Sequence, residues 1–224
     1  MGGVFLGIVR PCICWWIEHA LGMDFYRWRP HPWHGLETGP DAPGLINAYI
    51  EITPFDSMKY EVDKTTGYLR IDRPQLGSSL PPCSYGFIPR TYSADRVARL
   101  SKGAKKGDGD PIDVCLISEF PINRAEILVT ARVVGGFCTI DEGAADDKII
   151  AVLENDAIWG QVHDFDDLPE AMTARIQHYF STYKLSAERK DPVKLEASYG
   201  AETARKVIQA GIDDYNEHFS QTER

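Results

Sequence analysis

Nothing in these 224 residues runs apolar for the roughly 20 positions that a membrane-spanning helix requires. The first 22 residues hold two short apolar patches, Val4–Val9 and Cys12–Ile17, but Arg10-Pro11 splits them and Glu18-His19 follows. That stretch also lacks a basic start and a clean small-residue cleavage site, so it does not read as a secretory signal. The expectation is that Met23 is the true start, with residues 1–22 an upstream translation artefact or a flexible extension without motif residues. Positive charge is scarce: 24 Lys and Arg face 33 Asp and Glu, for a formal net charge of −9. A general nucleic-acid binder needs a basic field, so that class is disfavoured. The GxxxxGK[ST] phosphate loop is absent, and no segment repeats. Cysteines number five, an odd set. Cys83, Cys115 and Cys138 lie in apolar runs and read as small core residues in a reduced, cytoplasmic compartment. Cys12-x-Cys14 is too tight for a usual zinc pair, and no second Cys/His pair follows at zinc-finger spacing.

What remains is a globular chain, 43% hydrophobic, long enough for one domain plus extras. Residues 1–44 read as an N-terminal extension and an extended arm, the part from Arg27 to Gly44 being rich in Pro, Trp and His. No cysteine stands near His31 and His34 in the sequence to complete a metal site. Residues 45–224 read as the main domain. Its first two-thirds is a series of short strands: Ala48–Ile52, a hairpin of Lys59–Asp63 with Tyr68–Arg73 around Gly67, Tyr85–Ile88, Pro111–Ser118, Ile127–Val134, Phe137–Ile140 and Lys148–Leu153. Gly135-Gly136 is predicted to be a tight turn. Many short strands with turns between them suggest a small barrel. Two helices follow. Leu168, Met172, Ile176, Tyr179 and Tyr183 share one helical face, as do Ala204, Ile208, Ile212, Tyr215 and Phe219. Asp167 and Glu170 are placed for a capping box, with Pro169 in the first turn.

The sharpest feature is Gly107-Asp108-Gly109-Asp110-Pro111-Ile112-Asp113-Val114. Three carboxylates crowd a Gly/Pro turn that opens the apolar run Val114–Ile117, and they repel one another unless something positive sits between them. A divalent cation with hard oxygen ligands meets that need. A calcium loop starting at Asp108 fails, because Ile112 and Asp113 occupy its ligand and glycine positions.

Further polar residues stand in strand contexts. Glu51 interrupts Tyr49-Ile50-Glu51-Ile52, and Lys59, Glu61 and Asp63 alternate onto one strand face. Asp72-Arg73 ends the hairpin. Asp141-Glu142 and Asp146 precede Lys148, and Tyr183-Lys184 ends the first helix. With Pro82-Cys83-Ser84-Tyr85-Gly86-Phe87-Ile88, this ordered set from Tyr49 to Lys184 resembles the pattern of family I inorganic pyrophosphatases. There are departures: the link Ser93–Lys106 is longer than in compact bacterial members, and Pro81 stands where many members have an aromatic residue.

The resemblance implies a mainly β, α+β fold: a small five-stranded barrel of oligonucleotide-binding type, with the two C-terminal helices packed outside. It implies Mg²⁺-dependent hydrolysis of inorganic pyrophosphate, with several Mg²⁺ per site. Asp108, Asp113, Asp141 and Asp146 would hold metal, and Glu51 would steady the outermost ion through water. Asp110 would be the general base. Lys59, Arg73, Tyr85, Lys148, Tyr183 and Lys184 would hold phosphate oxygens, with Glu61 also in the site. A cytoplasmic homo-oligomer follows from the same resemblance, hexameric or dimeric, with no nucleic-acid or membrane partner. The charges agree. Seven candidate acids against four candidate bases leave a formal −3, to which pyrophosphate adds up to about −4, a sum that about three or four Mg²⁺ would neutralise. Two rival readings are a metal-dependent phosphatase for other phosphate compounds and a non-catalytic nucleic-acid module of the same barrel type. The second needs a basic groove with exposed aromatics. The basic residues of the link, Arg96, Arg99, Lys102, Lys105 and Lys106, read either as a solvated loop or as a lip that attracts an anionic substrate.

Overall fold

The computed structural model describes residues 29–186 and 188–219. Residues 1–22, Met23 and Cys12-x-Cys14 lie outside the described residues. Among those described, no helix is long and apolar enough to cross a membrane.

Five strands close a ring. β1 (Leu45–Ile52) pairs β4 (Ser84–Phe87), β4 pairs β6 (Asp113–Ile117), β6 pairs β9 (Lys148–Leu153), β9 pairs β7 (Ile127–Asp141), and β7 returns to β1. This is the expected small barrel, with helices outside, and closure leaves these strands no free edge. Alternation along each strand builds two apolar clusters. Val114 and Leu116 of β6 join Ile46, Ala48 and Ile50 of β1 in one of them. Cys115 and Ile117 face the other, where helix α2 (Glu170–Thr182) packs Ile176, Tyr179 and Phe180 against them. Helix α3 (Ala201–Phe219) lays Ala204, Val207 and Ile208 on the first cluster. Both helical stripes read from the sequence face apolar clusters, with Met172, Tyr183, Ile212 and Phe219 at their partly buried margins. The hairpin of β2 (Met58–Val62) and β3 (Leu69–Pro74) forms its own two-stranded sheet.

Four local expectations are corrected. Gly135-Gly136 is not a turn: β7 runs through it for 15 residues, with a register shift against β9 between Val133 and Gly135. Strand β10 (Lys194–Gly200), which the sequence pattern did not reveal, lies against the pair. A Cβ on Gly135 would sit 2.6 Å from the Tyr199 carbonyl oxygen, and one on Gly136 2.6 Å from the Tyr199 ring. Glycine here admits a close neighbour rather than reversing the chain. The Asp167–Glu170 capping box is also absent. The Asp167 carboxylate already accepts from the His163 and Asp164 N–H groups and, with Asp164, caps the 3₁₀ turn Phe165–Asp167. Helix α2 starts after Pro169 with no side-chain cap.

The segment from His31 to Gly44 is not extended. It folds into turns, with Gly35 N–H on the His31 carbonyl at 2.7 Å. Trp33 is buried with Tyr49, Phe87 and Tyr215, and its Nε1 donates to the Thr91 carbonyl at 2.8 Å. His34 stacks on Trp33 and pairs Nδ1 with the Tyr215 hydroxyl at 2.8 Å, while His31 Nδ1 accepts from Trp33 N–H.

Nor is the link a simple solvated loop. It contains helix α1 (Asp95–Leu100), which buries Val97 and Ala98. That helix has no cap of its own. Its first N–H groups instead reach Asp214 of α3, 3% exposed, which accepts from the backbone of Ala94, Arg96 and Val97 and pairs with the Arg96 guanidinium at 3.0 Å. Free helix-start N–H groups favour an anion in this position. Further on, β5 (Lys106–Gly107) pairs β8 (Ala144–Ala145), tying the link to the second acid loop. Replacing Asp214 by Ala strands three backbone donors, while the Arg96 guanidinium keeps Glu217 as a partner. Asp214→Ala is expected to lower unfolding free energy by about 2 kcal/mol, read as a lower urea midpoint at unchanged m-value. An unchanged midpoint would show that the remote cap carries no stability.

Candidate active site

The acid motif is held by its own backbone. Gly109 adopts φ 81°, in the left-handed region that glycine enters without strain. Asp110 N–H donates to the Asp108 carboxylate at 3.0 Å, Ser93 N–H donates to the Asp110 carbonyl at 2.8 Å, and Gly109 N–H donates to the Ser93 carbonyl at 3.0 Å. The link therefore grips the motif from behind. Asp113, which opens β6, stands directly opposite Lys148, which opens β9.

Lys148 is 1% exposed, and its ammonium bonds both Asp113 and Asp146. Its Nζ lies 5.8 Å from the Tyr85 ring centroid and 5.7 Å from that of Phe180. Burial works against its charge, but Asp113 and Asp146 overcome that and hold its pKa well above the ordinary value. Burial pushes Asp108 up to about 6, with repulsion from Asp113 adding to it. Asp113 and Asp146 are raised as well, first by burial, with Lys148 opposing. Glu51, 8% exposed on β1, accepts from Val62 N–H at 2.6 Å. Burial raises it to about 8 against that bond, with Asp113 adding repulsion. Burial and Asp113 likewise keep the Tyr85 phenol protonated.

At the rim, the Lys59 ammonium bonds Glu61 at 3.1 Å and Asp72 at 2.8 Å. Although burial acts against it, the Asp72 and Glu61 bonds raise its pKa. Asp141 is gripped by Lys184 at 2.5 Å and by Arg189. Burial opposes its ionisation, but those two cations hold it below the usual carboxylate range.

One cavity of about 620 Å³ is lined by Glu51, Lys59, Glu61, Tyr85, Asp108, Asp110, Asp113, Asp141, Asp146, Lys148, Tyr183 and Lys184. Twelve of the thirteen residues singled out from the sequence thus converge. Arg73 is the one that does not: it pairs with Asp72 and lines a neighbouring cavity with Lys184 and Glu142. Lys64 and Arg70 also line the main cavity, although the motif pattern gave no reason to select them, and so does Lys106 of the basic link.

In sequence and in fold this constellation has close counterparts. Residues 48–216 match the family model for inorganic pyrophosphatase. The chain belongs to the inorganic pyrophosphatase family. A curated relative from Chlamydia muridarum, named inorganic pyrophosphatase, is 45% identical over 195 residues, covering 83% of this chain and 93% of that one. The soluble inorganic pyrophosphatase of Zea mays is 37% identical over 194 residues, covering 87% and 83%. Among solved structures, the inorganic pyrophosphatase of Thermus thermophilus matches at 32% identity with a TM-score of 0.71, over 84% of this chain and 99% of that one.

The pyrophosphatase family is metal-dependent, and this donor set fits a hard cation. Asp108, Asp113 and Asp146 share the cavity and raise one another's pKa by repulsion, and carboxylate oxygens suit Mg²⁺ or Ca²⁺. No three such side chains among the described residues are already gathered into one coordination sphere. Lys148 holds Asp113 and Asp146, and Lys184 holds Asp141.

A titration signature follows. Burial moves Asp108 from its ordinary 3.8 to about 6 in the native state, so between those values the metal-free native protein carries a proton that the unfolded chain has lost. On this account its stability falls as pH rises through that window. An ion held by Asp108 would require the ionised form, so if Asp108 is a ligand, metal titration near pH 6 is expected to release protons. Calorimetry in two buffers of different ionisation enthalpy reads this directly. Identical heats in both buffers would mean that Asp108 is not a ligand.

Proposed function

We propose that this chain hydrolyses inorganic pyrophosphate to two orthophosphates, with Mg²⁺ as its metal. The observation that carries the reading is the convergence, in one cavity of a pyrophosphatase-family chain, of the acid motif with Lys59, Lys148, Lys184, Tyr85 and Tyr183. Asp108, Asp113, Asp141 and Asp146 would hold the ions, with Glu51 contributing at the same site. When bound, the metal would neutralise the substrate's charge and ease loss of a proton from the attacking water.

The protein's own groups divide the remaining work. Asp110 would accept the proton of the attacking water. Its carboxylate stands at the cavity mouth rather than among the buried acids, which leaves it free of the crowding around Asp113. Lys59, Lys148 and Lys184 would hold phosphate oxygens as point charges, and Arg73, from the neighbouring cavity, would reach the substrate's outer end. Tyr85 and Tyr183, both kept protonated first by burial, would donate their hydroxyl hydrogens to phosphate oxygens. Glu61 would keep Lys59 in place until substrate arrives. Phosphoryl transfer asks mainly for positioning and charge neutralisation, which this set supplies. The family resemblance further supports a homo-oligomer, hexameric or dimeric, and the free cysteines among the described residues agree with a cytoplasmic setting.

Phosphate release from pyrophosphate, ATP and a phosphomonoester separates this reading from its rivals. With Mg²⁺, turnover is expected on pyrophosphate far above the other two, and none with excess chelator. Equal turnover on the monoester would favour a general phosphatase, and none on any substrate a binding module.

Two substitutions divide base from ligand. Asp110→Asn is expected to lower kcat by about 10²–10⁴-fold with Mg²⁺ affinity little changed. Asp113→Asn is expected to weaken metal binding as well as rate, since an amide oxygen is a poorer ligand for a hard cation. Recovery of Asp110→Asn at saturating Mg²⁺ would make Asp110 a ligand instead.

A further inference from the structure

We propose that Lys64, on the turn of the β2–β3 hairpin, is a positioning residue for hydrolysis: its ammonium fixes the orientation of the Asp110 carboxylate. The proposal rests on reading Asp110 as the base. The backbone of Asp110 is fixed by Asp108 and Ser93, but its side chain projects from the turn with 46% of its surface exposed. Two torsions would otherwise swing freely there. A base has to be aimed at its water to be effective, and the side chain that meets the Asp110 carboxylate is Lys64, by direct hydrogen bond.

The turn that carries Lys64 is anchored more heavily than a chain reversal needs. Asp63 Oδ1 accepts from the Thr65 and Thr66 N–H groups at 3.2 and 2.8 Å and from the Thr66 hydroxyl at 2.8 Å. Its other oxygen takes the Arg70 guanidinium at 3.2 Å. Gly67, at φ 72°, lets the turn close under His31 and Pro32, where a Cβ would sit 2.9 Å from each. A rigid turn on one sheet thus presents an ammonium to a rigid acid loop on another. The Lys64 side chain is 58% exposed, and an ion pair this open adds little to stability. Its value would lie in geometry, so it can be removed without unfolding the protein.

The test is a double-mutant cycle on the full chain with saturating Mg²⁺. Lys64→Met is expected to lower kcat about 10-fold, with KM for pyrophosphate within about 2-fold and the melting temperature unchanged. Lys64→Arg, which keeps charge and reach, is expected to recover most of the loss. In the Asp110→Asn background Lys64→Met is expected to change kcat by less than about 2-fold, since a residue acting through Asp110 has nothing left to position. A full additional loss in that background would overturn the proposal, as would a rise in KM at constant kcat, which would mark Lys64 as a substrate ligand. Normal kcat for Lys64→Met beside an inactive Asp110→Asn overturns this proposal alone. A fully active Asp110→Asn overturns the base assignment, and this proposal with it.

Discussion

A single buried ammonium constrains both the fold and the site. Lys148 is enclosed by Tyr85, Phe180 and the β6–β9 pair, and an isolated charge in such surroundings would cost several kcal/mol. It is stable there because Asp113 and Asp146 sit against it. That requirement fixes the register of the parallel β6–β9 pair, with Asp113 opposite Lys148. It also fixes where the second acid loop must enter, and it places the Phe180 face of α2. A shift of one residue in either strand would turn the charge to the opposite face and separate it from its partner. The barrel cannot be assembled in this register without assembling the centre of the site.

The same logic extends outward. Three acids near the rim are held by lysines that the proposed reaction would need elsewhere: Asp72 and Glu61 by Lys59, and Asp141 by Lys184, with Arg189 as its second partner. These pairs keep a strongly acidic cavity folded. Lys148 and Lys184, two of the three lysines proposed to hold phosphate, pair with carboxylates that would turn to metal. The two exchanges are complementary: an acid that leaves its lysine for a divalent ion leaves behind a cation suited to a phosphate oxygen. On the proposed reading, metal and substrate affinities would be coupled through these ion pairs, in addition to any direct contact between the two ligands.

What the sequence made legible was what is local or strictly periodic. The acid motif, the strand alternation around Glu51 and Asp113 and the two helical stripes each declare themselves within a few residues. The misread elements are those whose meaning depends on a distant partner. Gly135-Gly136 looks like a turn until Tyr199 of β10 is seen lying against it. Asp167 looks like a cap for the following helix, but it is committed to the turn before it. The link looks solvated because the anion that caps its helix, Asp214, lies 118 positions beyond Arg96. Arg73, chosen with Asp72 as a pair, lines the adjacent cavity instead. Lys64 carries no local signal at all, since its partner lies 46 positions away.

These long-range elements hold the second acid loop in place. In the short link between β8 and β9, Asp146 bonds Lys148 while its neighbour Asp147 takes other partners. Asp147 is buried, and burial raises it to about 6. It accepts from the Tyr199 hydroxyl at 3.1 Å, with the Ser101 hydroxyl at 3.5 Å. Tyr199 belongs to β10 and Ser101 to the link, the two segments whose structure the pattern of residues did not disclose. The phenol reaches Asp147 because β7 carries two glycines where side chains would hold β10 away. Asp146, proposed as a metal ligand, is therefore supported from behind, through its neighbour, by a strand and a loop with no residue in the proposed chemistry. A close approach permitted by glycine becomes, two bonds later, the placement of Asp146.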